Sequence, residues 1–230
     1  MQEKADAVSG ERAPRRRRRP EEAERAILAA ARSFLEERPF REMTVERVMV
    51  RTGLSRPAFY AYFRDRYDLV TRLLEGIGGL LFAVDWRWLS GDASGGPEAT
   101  SEVLIDAVRR GSETVVQYGP VLRAIADAAD QDPRVEEVYR YGLIERFAGA
   151  VAARVSRDVA AGLSPAYLDP EETARALVFM TERYLLDAFG RPESRPSPEK
   201  IAAVIGALEA VWVRTLYGSE AWGPASPRPG

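Results

Sequence analysis

Residues 44–66 read TVERVMVRTGLSRPAFYAYFRDR, two short capped helices folded around a glycine. Thr44 stands where its hydroxyl accepts a free backbone N–H, and Glu46 follows near the positive end of the helix dipole. Val45, Val48 and Met49 share one inward face at helical spacing. Gly53 supplies the left-handed backbone that ends this helix, Leu54 an apolar anchor, and Ser55 the cap of the next helix. Pro57 falls in the first turn of that second helix, where its missing N–H costs nothing and its fixed φ fits. Phe59 and Phe63, four apart, face the core and leave Arg56, Pro57, Tyr60 and Ala61 pointing outward. Helices joined in this way meet at a steep angle.

That outward face suits a DNA groove, because a recognition helix sets its N-terminal residues against base edges. Arg56, Pro57 and Ala58 are placed for base edges, and Thr44, Tyr60, Tyr62 and Arg66 for phosphates, with Ser55 completing the set. Taken alone, the same pattern also fits a small helical hairpin with aromatics in its core.

The segment resembles the helix-turn-helix of TetR-family transcriptional regulators. The match runs through Thr44, Val45, Glu46, Val48, Gly53, Leu54, Ser55, Phe59, Tyr60 and Phe63. Departures are Met49 and Thr52 where that family usually has alanine, Ala58 where it favours threonine, Tyr62 where histidine is frequent, and Arg66 in place of lysine. The resemblance implies phosphate contacts at Thr44, Tyr60, Tyr62 and Arg66. The departures bear on which operator is read, since Pro57, Ala58 and Tyr62 change the donors and methyl groups offered to DNA.

Composition agrees with a regulator. A chain of 230 residues, 46% hydrophobic, has the material for one or two sizeable cores. Its longest apolar stretches are interrupted by charge, so no transmembrane span is expected, and without a signal-peptide core the expected location is cytoplasmic. The absence of cysteine and histidine excludes disulfides, thiolate nucleophiles, zinc sites of the usual kind and histidine acid–base catalysis, so neither an enzyme nor a cofactor is expected. The net charge of -2 hides an asymmetry. Through Arg66 there are 16 basic and 11 acidic residues, net +5, whereas the remainder holds 17 basic and 24 acidic, net -7. A basic head before an acidic body is the footprint of one domain meeting phosphates and another that does not.

Four domains of organisation follow. Residues 1–20, with the run Arg15 to Arg19, form a disordered basic arm that either reaches a neighbouring groove or is simply a solvated tail. Residues 21–66 form a three-helix DNA-binding domain, whose first helix carries the stripe Ile27, Leu28, Ala31, Phe34 and Leu35. Residues 67–217 form a helical ligand-binding and dimerisation domain, and 218–230 a flexible tail. A helix capped by Asp65 should run to about Trp88 as a connector, with Leu69, Leu73, Ile77, Leu80 and Val84 at helical period. Beyond a loop at 90–97, helices are expected near 98–117, 120–129, 133–157, 170–189 and 198–217, the last three started by Asp132-Pro133, Asp169-Pro170 and Ser197-Pro198. No alternating stretch competes with them, so the fold is all-α.

The last two helices are apolar on two faces and so need two partners. Ala203, Ala207 and Ala210 make a smooth strip on the final helix, which predicts a four-helix homodimer interface with a symmetry mate. A monomer using both faces in one core is the alternative. Two recognition helices about 34 to 36 Å apart would read successive major-groove faces of a palindromic operator in double-stranded DNA.

The body is rich in aromatics, among them Trp86, Trp88, Tyr118, Tyr139, Tyr184 and Trp212, which serve either as plain core or as a cavity wall. The segments FMTERYLLDAF, 179–189, and VWVRTLYG, 211–218, resemble EthR-type repressors, a mycobacterial branch with an apolar tunnel. On that resemblance Trp212 and Tyr118 keep aromatic tunnel positions, and Tyr139 and Leu143 share the matching face of the long helix. Val178 and Thr181 stand where the branch carries two asparagines, so the implied ligand is more apolar, or meets Thr181, Tyr184 or Glu182 with its polar end. The expected protein is a homodimeric repressor released by a hydrophobic effector. An activator of the same architecture and a helical enzyme are the alternatives.

Overall fold

The computed structural model describes residues 20–83, 87–91, 96–192 and 196–218, and within them the side chains of 80–83 and 97 are left aside. The expected basic arm up to Arg19, the side chains of Leu80 and Phe82, Val84, Trp86 and the tail from 219 lie outside the described residues. Among the described residues every regular element is helical.

Helix α1, Pro20–Glu37, opens on a proline with Glu21 and Glu22 in its first turn, and buries Ala23, Ile27, Ala31, Phe34 and Leu35. Helix α2, Val45–Thr52, begins where Thr44 Oγ1 accepts from the Arg47 N–H at 3.2 Å, and stops at Gly53, whose φ of 67° is left-handed. Thr52 ties the turn from within, donating to Met49 O at 2.8 Å and accepting from Leu54 N at 3.0 Å. Helix α3, Arg56–Tyr60, is only five residues long. Ser55 holds its N-cap position, but the hydroxyl makes no capping bond, so the expected side-chain cap is absent and the carbonyl alone receives Ala58 N.

Helix α4, Arg66–Ala83, starts where Asp65 Oδ1 accepts from the N–H groups of Tyr67 and Asp68, both at 2.9 Å. Its buried Leu69, Val70, Leu73, Leu74 and Ile77 face α1 and the later helices. Helix α4 is described as far as Ala83, and Trp88 lies in α5, Arg87–Ser90; whether one connector spans both falls on 84–86, outside the described residues.

The expected pair of helices at 98–117 and 120–129 is one helix, α6, Gly96–Ala129, with Pro120 inside it. The Gly119-Pro120 pair marks a close approach rather than a break. A β-carbon on Gly119 would lie 2.3 Å from Phe189 O, so glycine lets the end of another helix rest on the α6 backbone. Helix α7, Pro133–Glu136, is capped by Asp132 and runs through a wide π-helical stretch, Glu137–Glu145, into α8, Arg146–Ala160. Helices α9, Pro170–Phe189, and α10, Pro198–Tyr217, are capped by Asp169 and Ser197, as their Asp-Pro and Ser-Pro pairs imply.

Two cores result. The first gathers Ile27, Phe34, Phe40, Val48, Phe59, Phe63, Leu69 and Leu74 with Val121, Ile125 and Val135, so α1 to α4 rest on the second half of α6 and on α7. The second gathers Trp88, Leu104, Val151, Leu177, Leu208, Trp212 and Leu216 from α5, α6 and α8 to α10. Helix α6 belongs to both and connects them.

Candidate functional site

The polar head surface is assembled around the buried Phe59 and Phe63, whose rings sit 5.4 Å apart. Anchored on them, α3 leaves Ser55, Arg56, Pro57 and Tyr60 exposed and Ala58 and Tyr62 half-buried, while Thr44 is exposed at the start of α2. Arg56 is pre-positioned: Nη1 pairs with Glu46 Oε1 at 2.8 Å, and Nη2 donates to the Tyr60 hydroxyl at 3.3 Å. The Glu46 carboxyl is held below its ordinary value, above all by its own backbone N–H; desolvation opposes this, and Arg56 and Thr44 add smaller lowering effects. Exposed pairing of this kind exchanges readily for a stronger acceptor.

Arg66 is placed differently from its neighbours. Its guanidinium donates to Met43 O at 3.1 Å and to the Tyr67 hydroxyl at 3.1 Å, and lies 4.6 Å above the Phe40 ring. It therefore staples the start of α4 to the segment before α2. Arg64, which sequence reasoning passed over, is exposed and no ion pair engages it among the described residues.

Beside the shared first core, arginine contacts tie head to body. Arg134 Nη2 donates to Asp65 Oδ2 at 2.8 Å and to Asp132 Oδ2 at 2.7 Å, linking the capping residues of α4 and α7. Arg32 of α1 lies 4.7 Å above the ring of Tyr118 in α6. Partial burial pushes the Asp65 carboxyl up, but Arg134 and the two helix N–H groups outweigh it and hold it below its ordinary value. Asp132 is lowered by Arg134 above all.

A partly open cavity of ≈ 140 Å³ lies where the two cores meet. Its walls come from α5, α6, the π-helical stretch, α8, α9 and α10, and include Trp88, Leu104, Val108, Ser112, Tyr139, Leu143, Val178, Thr181, Glu182 and Trp212. Of the residues expected to bind ligand, Trp88, Tyr139, Leu143, Val178, Thr181 and Trp212 line it. Tyr118 does not: it is buried in the first core beneath Arg32. Tyr184 does not either, being 42% exposed on the outer face of α9. Trp86 lies outside the described residues.

Most polar atoms of this wall are satisfied within the protein. Trp212 Nε1 donates to Thr181 Oγ1 at 2.8 Å, Trp88 Nε1 to the Tyr217 hydroxyl at 2.7 Å, and the Tyr139 hydroxyl to Glu182 Oε1 at 2.5 Å. Burial first, and the Glu182 charge second, push the Tyr139 phenol well above its ordinary pKa, so it stays a neutral donor. Tyr139 and Glu182 also border a second recess of ≈ 370 Å³, lined by Arg123, Asp127, Arg140 and Arg183. Their hydrogen bond thus stands between an apolar chamber and a charged one.

Trp88 is fixed from several sides. Its ring meets that of Trp212 edge-on at 6.2 Å, and its carbonyl accepts from Arg154, which is itself buried and bonded to both oxygens of Asp158 at 2.9 Å. Tyr217 closes the ring of contacts by donating to Asp158 Oδ2 at 2.7 Å. Arg154 and Asp158 were not among the residues that the sequence patterns singled out.

No helix among the described residues is long and apolar enough to cross a membrane, and no cluster of acidic residues there is arranged to hold a metal ion.

Comparison with known proteins places both halves. Residues 27–73 match the family described as bacterial regulatory proteins, tetR family, and residues 105–218 match the transcriptional regulator EthR, C-terminal domain. The chain is 30% identical over 216 residues to the HTH-type transcriptional regulator EthR of Mycobacterium tuberculosis, covering 92% of this chain and 97% of that one. It is 29% identical over 223 residues to the EthR regulator of Mycolicibacterium smegmatis, covering 92% and 96%. Among solved structures, the regulatory protein TetR from Rhodobacter sphaeroides superposes with a TM-score of 0.61 at 20% identity, over 84% of this chain and 98% of that one.

Proposed function

Since the chain belongs to the TetR family of bacterial regulatory proteins, in the EthR branch, and is thus a DNA-binding transcriptional regulator, we propose that it represses a palindromic operator as a homodimer and is released by a hydrophobic small molecule. The observation that carries this reading is the presence of two chemically opposite sites in one chain: an exposed polar helix in the basic head and an apolar cavity in the acidic body.

DNA contact falls to Thr44, Ser55, Arg56, Pro57, Ala58, Tyr60 and Tyr62, with Arg56 moving from Glu46 to a base edge and Tyr60 to a phosphate. Arg66 acts by holding the head together, and Arg64 takes the phosphate contact first expected of it. The dimer uses the outer faces of α9 and α10. That choice is supported by the exposure of Met180, Tyr184 and Val211, at 38%, 42% and 41%, beside the exposed Ala203 and Ala207. Small residues let paired helices approach closely.

A ligand releases DNA only if it favours one arrangement of the heads over the other. Helix α4 is the lever, since it begins at the head and rests on α6, which forms a cavity wall. The test is operator binding by full-length protein to DNA upstream of its own gene, read by anisotropy together with sedimentation. The expected result is a dimer on an inverted repeat, displaced by apolar compounds. A monomer at micromolar concentration, or equal affinity for random DNA, overturns the reading.

A further inference from the structure

Ser112 lines the apolar cavity from α6, is 2% exposed, and its hydroxyl has no hydrogen-bond partner. Helical hydroxyls elsewhere in the chain close back on their own backbone: Thr71 donates to Tyr67 O at 3.0 Å, Thr100 to Gly96 O at 2.7 Å, and Thr114 to Arg110 O at 3.1 Å. Ser112 does not take that local bond. A buried hydroxyl without a partner is costly, and buried side-chain polar atoms are as a rule satisfied. The other such orphan among the described residues, Ser164, is not part of the cavity wall.

The rest of the wall narrows the chemistry. Thr181, Tyr139 and the indole N–H groups of Trp88 and Trp212 are already engaged with protein atoms. The single ionisable carboxyl of the wall belongs to Glu182, and no arginine or lysine lines it. A carboxylate ligand would enter without a counter-charge and face Glu182 across a medium of low dielectric. Free fatty acids are therefore disfavoured. A space of ≈ 140 Å³ is close to that of an engineered apolar cavity known to accept benzene, so the portion of a ligand that it holds is small.

We infer that Ser112 is the polar anchor of the effector site, and that the effector is a neutral, mostly hydrocarbon molecule whose one hydrogen-bonding oxygen, such as a ketone or ester carbonyl, meets the Ser112 hydroxyl. This rests on the ligand-responsive reading above. It adds to that reading which residue selects and which ligands are refused. A neutral hydrogen bond of this kind accounts for about a fivefold preference over a hydrocarbon of equal size.

The experiment compares wild type and Ser112→Ala, both full length. The probes are a methyl ketone, an alkane, a carboxylate and a primary amine of matched chain length, about six carbons. Readouts are thermal shift and displacement from operator DNA. The inference expects wild type to prefer the ketone and to ignore the carboxylate. It expects Ser112→Ala to bind ketone and alkane alike, with unchanged DNA affinity and an apo melting point that is not lowered, because only an unpaired hydroxyl has been removed. A ketone preference that survives in Ser112→Ala overturns the anchor while leaving ligand response standing. Strongest binding by the carboxylate or the amine overturns the assigned class. No response to any probe overturns ligand response itself, and this inference with it.

Discussion

Arg154 and Asp158 form a buried ion pair one turn apart on α8, with side chains 3% and 2% exposed and Nε within 2.9 Å of both carboxylate oxygens. Because Arg154 also holds the carbonyls of Trp88 and Gly91, truncation removes more than a charge partner. Arg154→Ala leaves a buried carboxylate uncompensated and should cost about 3–5 kcal/mol in urea unfolding. Arg154→Lys, which keeps the charge but loses the forked donors, should fall between it and wild type. A loss under about 1 kcal/mol for the alanine variant would place this pair with ordinary surface bridges.

Gly119 sits where α6 receives the end of α9. In an open helix, alanine in place of glycine gains about 1 kcal/mol. Here the added carbon would meet Phe189 O at 2.3 Å, a backbone atom that cannot swing aside. Gly119→Ala should therefore destabilise by about 1–3 kcal/mol despite its better propensity. A raised melting temperature would show that α9 gives way freely.

Acid should loosen the joint between head and body. Asp65 and Asp132 have folded pKa values below their ordinary ones, with Arg134 the main lowering influence on each. Depressed carboxyls add stability above the unfolded pKa, near 4, and that stability disappears as pH falls through the folded values. Unfolding midpoints measured between roughly pH 2 and 5 should drop less steeply in Arg134→Ala than in wild type. Equal slopes would mean that Arg134 does not set these carboxyls. At the alkaline end, the raised phenols of Tyr139 and Tyr217 remain neutral in the fold while unfolded tyrosines ionise, so stability should decline above about pH 10. Tyr139→Phe should shrink that decline.

DNA titrations separate two arginines that are neighbours in sequence. Arg64→Ala should weaken binding to every sequence alike, lower the salt slope by about one, and leave the melting temperature alone. Arg66→Ala should lower thermal stability, since its bonds run to Met43 O and the Tyr67 hydroxyl. Wild-type stability together with a reduced salt slope in Arg66→Ala would return the phosphate role to that residue.

Caps and stripes were legible because they are local. Thr44, Asp65, Asp132, Asp169 and Ser197 all accept the N–H groups that their positions implied. What escaped depends on contacts between distant segments. Gly119-Pro120 carries a breaker's signature, and only Phe189 explains why the helix continues past it. Tyr118 and Tyr184 lie on recognisable helix faces, but periodicity does not say which of two cores, or which surface, a face will meet. Ser112 had a weak signal of its own, a polar residue between Val108 and Val115 on an otherwise apolar stripe of α6. The Arg154 network could not be foreseen, because its acceptors are main-chain carbonyls that acquire their place only when α5 docks.

Tyr139 and Leu143 are carried on a wide helical stretch, Glu137–Glu145, inserted between Val135 in one core and Val151 in the other. Each i→i+5 ring holds one residue more than its regular counterpart, which shifts the angular phase of everything downstream. Tightening a single turn there would rotate the two flanking segments against each other by about 100°. The stretch thus behaves as a splice between out-of-step hydrophobic periods, joining the helix start held in one core to the helix body held in the other.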